Sequence, residues 1–356
     1  MPRLSPQRMR SGGLVLTAVV ALTIAGCQRQ PADNGEEPTD SNKVTVVCGA
    51  TQEWCEAMTA GFTEETGIDA NFVRLSSGEA LARITAGKDN PEFDVWHGGP
   101  ADGYANAFGQ GLLEAYVSPN AAAIDEKHKD PEGGWTGVYV GALGFCNNTS
   151  VLAEKGADLP ESWADLLQPE LAQNIAMAHP GTSGTAYTGL WTQVARNDGD
   201  VDAAKDYMVK LHANILQYPK TGTAPGQMAA RGEIATGLIF AHDCVALQDE
   251  GFTDLKVTFP SEGTGYEVGG LGLINKAHNP ISARKYIDWA LTAKAQEIPP
   301  TARAYQLPTN PDAAVDPRVP DLSKITLVEY DFEAAGAAKA DLVAWFEANV
   351  AQAPRE

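Results

Sequence analysis

Short apolar runs alternate with amphipathic stretches along the first part of the folded chain. Three buried strands are expected there, at 44–47, 70–75 and 93–96. The apolar positions through Met58 and Phe62 predict a helix between the first two strands, and the stretch 78–86 predicts one between the second and third. This β-α-β-α-β order is typical of a parallel, doubly wound sheet whose strand-end loops share one edge.

A second α/β set begins near Trp135. A long strand is expected at 138–147, and Pro160 and Ser162 predict the start of a helix that runs to Leu167. The later elements are expected as strands at 175–178, 234–241, 257–260 and 269–274 and as helices ending at Ala195 and at 201–213, 225–231 and 280–295. Two α/β sets joined by extended crossings, near 138–146 and 257–269, predict two hinged lobes.

The N-terminal segment has the pattern of an export signal. Arg3, Arg8 and Arg10 precede the apolar stretch 14–24, which is shorter than the roughly 20 residues of a membrane-spanning helix. Its last residues, Ile24-Ala25-Gly26-Cys27, resemble the lipobox of bacterial lipoproteins. We therefore expect cleavage to leave Cys27 at the new N-terminus as the site of a lipid anchor, and a plain secretory signal is the alternative.

These patterns divide the chain into six segments. They are a signal peptide at 1–27, a flexible linker at 28–42, the first part of lobe 1 at 43–137, lobe 2 at 138–261, a return to lobe 1 at 262–300, and a C-terminal helical segment at 301–356 that packs across the lobes. The expected location is the periplasm or cell envelope, held to the membrane by the lipid.

The charge and the cysteine content narrow the possible partners. The net charge is −20, which argues against nucleic acid because phosphate contacts need clustered Lys and Arg. Of the five cysteines, four remain after Cys27, and an even number in an oxidising compartment suggests two disulfides. We expect Cys48 to pair with Cys55 and Cys146 with Cys244. A Cys/His metal site that uses His242 is the competing interpretation, although the spacing matches no zinc pattern.

Polar residues follow several of the predicted strands. His242 and Asp243 come directly after the apolar run 237–241, and such strand ends are where α/β proteins bind small ligands. Because the loops after parallel strands share one edge of the sheet, the residues after the first three strands should line one rim of the ligand site. They include Thr51, Ser76, Ser77, His97 and Gly98. A helix cap at Asp243 and an interior role for His242 are the structural alternatives.

Several stretches resemble the periplasmic solute-binding proteins of ABC importers, in the branch related to ferric-iron binders. The matching stretches are Phe93-Asp94-Val95-Trp96, Gly111-Leu112-Leu113-Glu114, Leu159 to Leu167, Ser183-Gly184-Thr185-Ala186-Tyr187 and Leu307-Pro308-Thr309-Asn310. The resemblance implies a type II periplasmic-binding-protein fold that closes over a small solute and delivers it to permease subunits. It implies a monomer without enzymatic activity or cofactor.

The resemblance also narrows the ligand. Iron binders of this family carry adjacent tyrosines at the strand end where this chain has His242 and Asp243, and no Tyr-Tyr pair occurs in the sequence. The stretch resembles instead the branch that binds hexose phosphates, in which a His-Asp pair and a downstream glutamate hold sugar hydroxyls. That role falls to His242, Asp243 and Glu267, with Glu262 as the alternative to Glu267.

A phosphate would need hydroxyls and the free N–H groups of a helix start. Ser183, Gly184 and Thr185 open a predicted helix, while Lys220 offers a cation and Thr221 a hydroxyl. Simple helix capping is the structural alternative for the serine-rich loops.

A phosphorylated sugar is the expected solute. A phosphonate, a free sugar or polyol, and ferric iron are the alternatives, and a secreted phosphatase with His242 and Asp243 as acid and base is the alternative from another class.

Overall fold

The computed structural model describes residues 41–354, so the predicted signal peptide, the lipid site Cys27 and most of the predicted linker lie outside the described residues. Eleven strands are present in the described range: β1 (Lys43–Cys48), β2 (Asp69–Arg74), β3 (Val95–Pro100), β4 (Leu113–Glu114), β5 (Thr136–Asn148), β6 (Ile175–Met177), β7 (Ile215–Gln217), β8 (Thr236–Phe240), β9 (Leu255–Thr258), β10 (Tyr266–Ile274) and β11 (Leu307–Pro308).

The α-helices lie between and after these strands. They are α1 (Gln52–Thr66), α2 (Ser77–Ala86), α3 (Ala101–Gly109), α4 (Thr149–Lys155), α5 (Gly184–Ala195), α6 (Val201–His212), α7 (Ala224–Ala230), α8 (Ala241–Asp249), α9 (Pro280–Ala290), α10 (Ala293–Gln296) and α11 (Phe332–Phe346). A π-helical turn, Glu347–Ala351, follows α11. None of the helices within 41–354 is long and apolar enough to cross a membrane.

The sheet has two parts that correspond to two lobes. In the first part the order is β2-β1-β3-β10-β5, with β1, β2 and β3 parallel and β10 antiparallel to both β3 and β5. In the second part β5 continues beside β8, followed by β6 and β7, and β9 pairs with the other edge of β5. The parallel β1-β2-β3 set agrees with the sequence pattern, while the returning strands make each part a mixed sheet.

The crossing strands are hydrogen-bonded to each other where they pass between the lobes. Strand β5 pairs with β10 up to Ala142 and with β8 from Leu143 onwards. At this point the amide of Leu143 donates to the carbonyl of Gly265 at 2.9 Å, and the hydroxyl of Thr264 donates to the carbonyl of Leu143 at 2.9 Å. The two crossings therefore form one connected hinge region.

Helix α11 contacts helices of both lobes. On the lobe 1 side, Nζ of Lys339 lies 2.6 Å from Oδ1 of the buried Asp102 on α3. On the lobe 2 side, the hydroxyl of Tyr187 on α5 donates to the carbonyl of Ala335 at 2.5 Å. The C-terminal segment is thus bound to both lobes beside the hinge.

Two predicted helices differ in the structure. The stretch 160–167 contains only a 3-10 turn at Asp165–Leu167, because side chains satisfy its backbone: the carboxylates of Asp165 and Glu262 accept the amides of Glu161 and Trp163. The predicted helix 280–295 is two helices, since the hydroxyl of Thr292 caps α10 by accepting the amide of Ala295.

Candidate functional site

The end of β8 leads directly into the first turn of α8, where His242 and Asp243 lie. Nε2 of His242 is 3.7 Å from Oδ1 of Asp243 and 3.7 Å from Oε1 of Glu267 at the start of β10. Gly141 on β5 leaves the space for this cluster, because a Cβ there would lie 2.5 Å from Nδ1 of His242. The strand, the helix and the crossing strand together fix the three side chains, which we call the acceptor cluster.

Burial determines the protonation of the acceptor cluster. It lowers the pKa of His242 to about 3, which makes the imidazole neutral at pH 7. It raises the pKa of Asp243 to about 7, with the charge of Arg74 acting in the opposite direction. It also raises the pKa of Glu267 well above its ordinary range, and the charge of Asp243 adds to this effect.

The protein itself does not provide a hydrogen-bond partner for every buried polar atom of the acceptor cluster. Nδ1 of His242 has no hydrogen-bond partner among the described residues, although buried polar atoms are almost always paired. Carboxylate oxygens and a neutral imidazole accept from hydroxyls, and a protonated carboxyl or imidazole N–H donates back. This combination suits a ligand that carries several hydroxyl groups.

Two helix starts from opposite lobes meet on the other side of the cleft. Helix α2 begins at Ser77 and helix α5 at Gly184, and the amide of Gly78 donates to the carbonyl of Thr182 at 3.0 Å across the gap. A Cβ on Gly184 would lie 2.8 Å from Oγ of Ser77 and 2.6 Å from Cδ of Pro100. The first-turn N–H groups and the helix dipoles favour an anion here, and we call this region the helix-start region.

Two hydroxyl side chains of the helix-start region cap helices, and two others do not. Oγ of Ser76 lies 2.7 Å from Oε2 of Glu79 in a capping box, and Oγ of Ser183 accepts the amide of Ala186 at 3.3 Å. The hydroxyls of Ser77 and Thr185 have no such partner in the described chain. Capping therefore accounts for the first pair, while the second pair remains available to a ligand.

Arg74 supplies a cation that the sequence analysis did not identify. It is the last residue of β2, its Nε donates to the carbonyl of Ala50 at 3.0 Å, and its guanidinium lines the cleft. Burial lowers its pKa, while the charges of Glu79 and Asp243 raise it, and an arginine keeps its charge at neutral pH. Arg74 lies inside the strand predicted at 70–75, so the rule that points to Ser76 and Ser77, polar residues after a strand, does not point to Arg74.

The cleft between the lobes encloses about 480 Å³ of empty volume, including space open to solvent. Nine of the expected residues line it: Thr51, Ser76, Ser77, Ser183, Gly184, Thr185, His242, Asp243 and Glu267. The structure thus brings the acceptor cluster and the helix-start region into one cavity.

His97 and Gly98 do not line the cavity. Strand β3 continues through Pro100, so His97 lies within the strand instead of in the expected loop. Its ring is buried 4.5 Å from the ring of Trp54, and its Nδ1 lies 2.9 Å from the hydroxyl of Tyr286. Gly98 accepts a hydrogen bond from the hydroxyl of Tyr104 at 2.9 Å, and the next residue, Gly99, is the one that reaches the cavity.

Lys220, Thr221 and Glu262 also lie outside the inner cavity. Lys220 forms an exposed ion pair with Glu79 across the edge of the cleft. Thr221 lines an outer chamber that adjoins the cavity and shares Arg74 and Asp243 with it. Glu262 binds the amide of Trp163, so Glu267 is the glutamate of the acceptor cluster.

Further residues line the cavity. Gly222 and Thr223 belong to the turn before α7 in which the sequence predicts hydroxyl donors, whereas Tyr139 on β5 and Gln306 before β11 come from parts of the chain that sequence reasoning did not connect with the site. Gln306 is 8% exposed, and its Oε1 has no partner among residues 41–354. The order of predicted elements gave no signal for Gln306, because its approach to the cleft depends on the tertiary path of the C-terminal segment.

Both expected disulfides are present, Cys48–Cys55 and Cys146–Cys244. The second joins β5 to α8 beside Asp243, within the second part of the sheet, and closes a loop of 98 residues. Its sulfurs are therefore unavailable to a Cys/His metal site. In the described range, no group of three or more His, Cys, Asp and Glu side chains is arranged to hold a metal ion.

A sequence model of bacterial extracellular solute-binding proteins matches residues 99–334. The chain belongs to this family. A Haemophilus influenzae protein of uncharacterized function is 36% identical over 335 residues, which are 92% of this chain and 94% of the relative. Members of the family bind a small solute outside the cytoplasm and deliver it to an ABC permease.

Solved structures place this solute-binding protein among the two-lobed type II periplasmic binding proteins. The chain is similar to the periplasmic binding protein AfuA from Actinobacillus pleuropneumoniae with fructose-6-phosphate bound, at 38% identity and a TM-score of 0.84, with 87% of this chain and 99% of that chain covered. It is also similar to the periplasmic binding protein P5PA, at 30% identity and a TM-score of 0.82, with 86% and 99% covered. The ferric binding protein from Campylobacter jejuni shares the fold at 18% identity and a TM-score of 0.73, with 86% and 99% covered.

Proposed function

We propose that this solute-binding protein is a lipid-anchored receptor for a phosphorylated sugar, which it delivers to an ABC permease. The observation that carries the proposal is the chemistry at the two sides of one cavity. The acceptor cluster of His242, Asp243 and Glu267 suits hydroxyls, and the helix-start region suits an anion. The AfuA structure with fructose-6-phosphate supports this ligand class as a first choice.

The electrostatics of the cavity support a dianionic group at the helix-start region and not at the acceptor cluster. Asp243 and Glu267 would repel a phosphate, while α2 and α5 direct their positive dipole ends at the space beside Ser77. Arg74 lies within reach of both regions and supplies the formal positive charge. The solute would therefore bind in one orientation, with its hydroxyls towards α8.

Isothermal titration calorimetry with three ligands tests the proposal. We expect fructose 6-phosphate to bind in the micromolar range or tighter, and free fructose and inorganic phosphate each to bind at least about 100-fold more weakly because each fills one region only. Equal affinity for fructose and its phosphate would indicate a sugar receptor and contradict the assignment of the helix-start region.

A phosphate assay separates the receptor from the enzymatic alternative. Release of inorganic phosphate from fructose 6-phosphate would indicate a phosphatase, and we expect none, since a receptor returns its ligand unchanged.

Labelling of the exported protein with a radioactive fatty acid tests the lipid anchor. The label should be lost in Cys27→Ser.

A further inference from the structure

His179 organises the turn that leads into the helix-start region. Its carbonyl accepts the amides of Thr182 at 3.0 Å and Ser183 at 2.9 Å, and its own amide donates to the carbonyl of Pro219 at 2.8 Å. Its ring nitrogen Nδ1 accepts the amide of Gly181 at 3.1 Å. His179 thus binds the three backbone amides immediately before Gly184 and ties this turn to Pro219.

The other ring nitrogen faces the C-terminal segment. Nε2 of His179 lies 2.8 Å from Oε2 of Glu347, in the π-helical turn, although not in line for a hydrogen bond. The ring also packs edge-on against Phe346, with 5.5 Å between ring centres. Since Nδ1 accepts a hydrogen bond, the neutral ring must carry its proton on Nε2, on the side of the Glu347 carboxylate.

We propose that His179 is a positioning residue for the candidate anion site, and that its neutral tautomer with the proton on Nε2 holds the 179–183 turn in place. The Nδ1 acceptor then holds the amide of Gly181 inside the turn, while the carbonyl of His179 holds the amides of Thr182 and Ser183. Removal of the Nδ1 acceptor frees the amide of Gly181, loosens the turn and weakens binding at the start of α5.

The groups around His179 support this tautomer. The carboxylate of Glu347 lies beside the buried Nε2 and favours a proton on that nitrogen. Lys220 follows the neighbouring strand β7, but its ammonium is paired with Glu79. His212 on α6 is bound to the hydroxyl of Tyr218 and to a C-terminal carbonyl. Within the described residues, the two ring nitrogens of His179 therefore face the amide of Gly181 and the carboxylate of Glu347.

The inference rests on the proposed function for its ligand, and its first test uses fructose 6-phosphate as the probe. Calorimetric titrations at pH 8 compare the native protein with His179→Asn, whose side-chain oxygen can accept the amide of Gly181 in an Asx-turn. We expect the affinity of this variant to stay close to the native value, because the acceptor for the amide of Gly181 is kept.

The control variant is His179→Ala, which removes the acceptor altogether. It should bind about tenfold more weakly than the native protein at pH 8, whereas His179→Asn should stay within about threefold. An unchanged affinity in His179→Ala, or an equal loss of affinity in His179→Ala and His179→Asn, would overturn the proposal.

A second test needs no ligand. Nitrogen-15 NMR of the native protein should show an unprotonated Nδ1 on His179 at pH 8. Hydrogen exchange at the amide of Gly181, measured at pH 8, should show protection in the native protein that is kept in His179→Asn and lost in His179→Ala. A proton on Nδ1 at pH 8 would refute the proposal. A failure of fructose 6-phosphate to bind would instead refute the proposed function and leave this second test decisive for His179.

Discussion

The acceptor cluster and the helix-start region differ in how they are assembled. His242 and Asp243 belong to one turn of α8, and Glu267 lies on the crossing strand β10 next to the hinge. The helix-start region is formed by α2 of one lobe and α5 of the other, at a point where the lobes touch through Gly78 and Thr182. Hinge motion displaces positions far from the crossings more than positions beside them. We therefore expect the acceptor cluster to persist when the lobes open and the helix-start region to form only on closure.

The largest effect should come from removing a member of the acceptor cluster. Asp243→Ala should lower the affinity for fructose 6-phosphate by at least about 100-fold, because hydroxyls of the ligand lose a buried charged or protonated partner. Calorimetry measures the change, and Asp206→Ala, an exposed acid on α6, is the matched control. An affinity within about threefold of the native value would remove the acceptor cluster from the site.

The acceptor cluster should also make the ligand-free protein sensitive to pH. Burial raises the pKa of Asp243 from 3.8 to about 7, so its contribution to stability is complete below pH 3.8 and is lost as the pH rises to about 7. His242 acts in the opposite direction, because its pKa is lowered to about 3 and its contribution is lost as the pH falls below 6.5.

The variant Asp243→Asn isolates the first of these contributions. Between pH 5 and pH 7 the free energy of unfolding of the native protein should fall, relative to the variant, by about 2 kcal/mol. Urea unfolding at several pH values gives the comparison, and parallel curves for the two proteins would contradict the raised pKa.

Arg74 should matter more for a phosphate than for a hydroxyl. Arg74→Gln removes the cation that lines the cavity, and we expect it to weaken binding of fructose 6-phosphate by about 10- to 30-fold. The residual affinity for free fructose should change by less than about threefold. Equal losses for both ligands would mean that Arg74 contacts the sugar.

Closure of the helix-start region can be obstructed by one methyl group. In Gly184→Ala the new Cβ would lie 2.6 Å from Cδ of Pro100, so we expect affinity to fall about five- to tenfold. Gly109→Ala is the control, because nothing lies within 4 Å of a Cβ at that position. Small-angle scattering with saturating ligand should show that the Gly184 variant remains more open, and a native-like closed profile would argue against the contact between lobes.

The smallest effect is expected at Lys220. Its ion pair with Glu79 is exposed, and such pairs contribute little and are screened by salt. Lys220→Gln should change the affinity for fructose 6-phosphate by less than about threefold in 0.15 M salt. A loss comparable with that of Arg74→Gln would restore Lys220 as the cation of the site.

The same contrast explains what the sequence could predict. His242 and Asp243 could be predicted from the sequence because the buried strand β8 and the polar residues after it are neighbours in the chain. Ser77 and Gly184 were found as separate helix starts, but their contact depends on the closure of two lobes. His97 was expected in a loop after the third strand. In the structure β3 extends four residues beyond Trp96 because it pairs there with β10, so His97 lies inside the strand.

Tertiary packing decided the remaining differences. No local pattern distinguishes Arg74 as the half-buried cation from Lys220 as the exposed one, since both lie between an apolar run and a hydroxyl-rich turn. The helix expected at 160–167 is replaced by turns because Glu262, distant in sequence, takes the amide of Trp163. Gln306 reaches the cavity only through the path of the C-terminal segment.

A crystal structure of the protein with fructose 6-phosphate tests the central claim most directly. We expect the phosphate beside Ser77, Gly184 and Thr185 and the sugar hydroxyls within hydrogen-bonding distance of His242, Asp243 and Glu267. The reverse orientation, or a phosphate bound in the outer chamber beside Arg303, would contradict it.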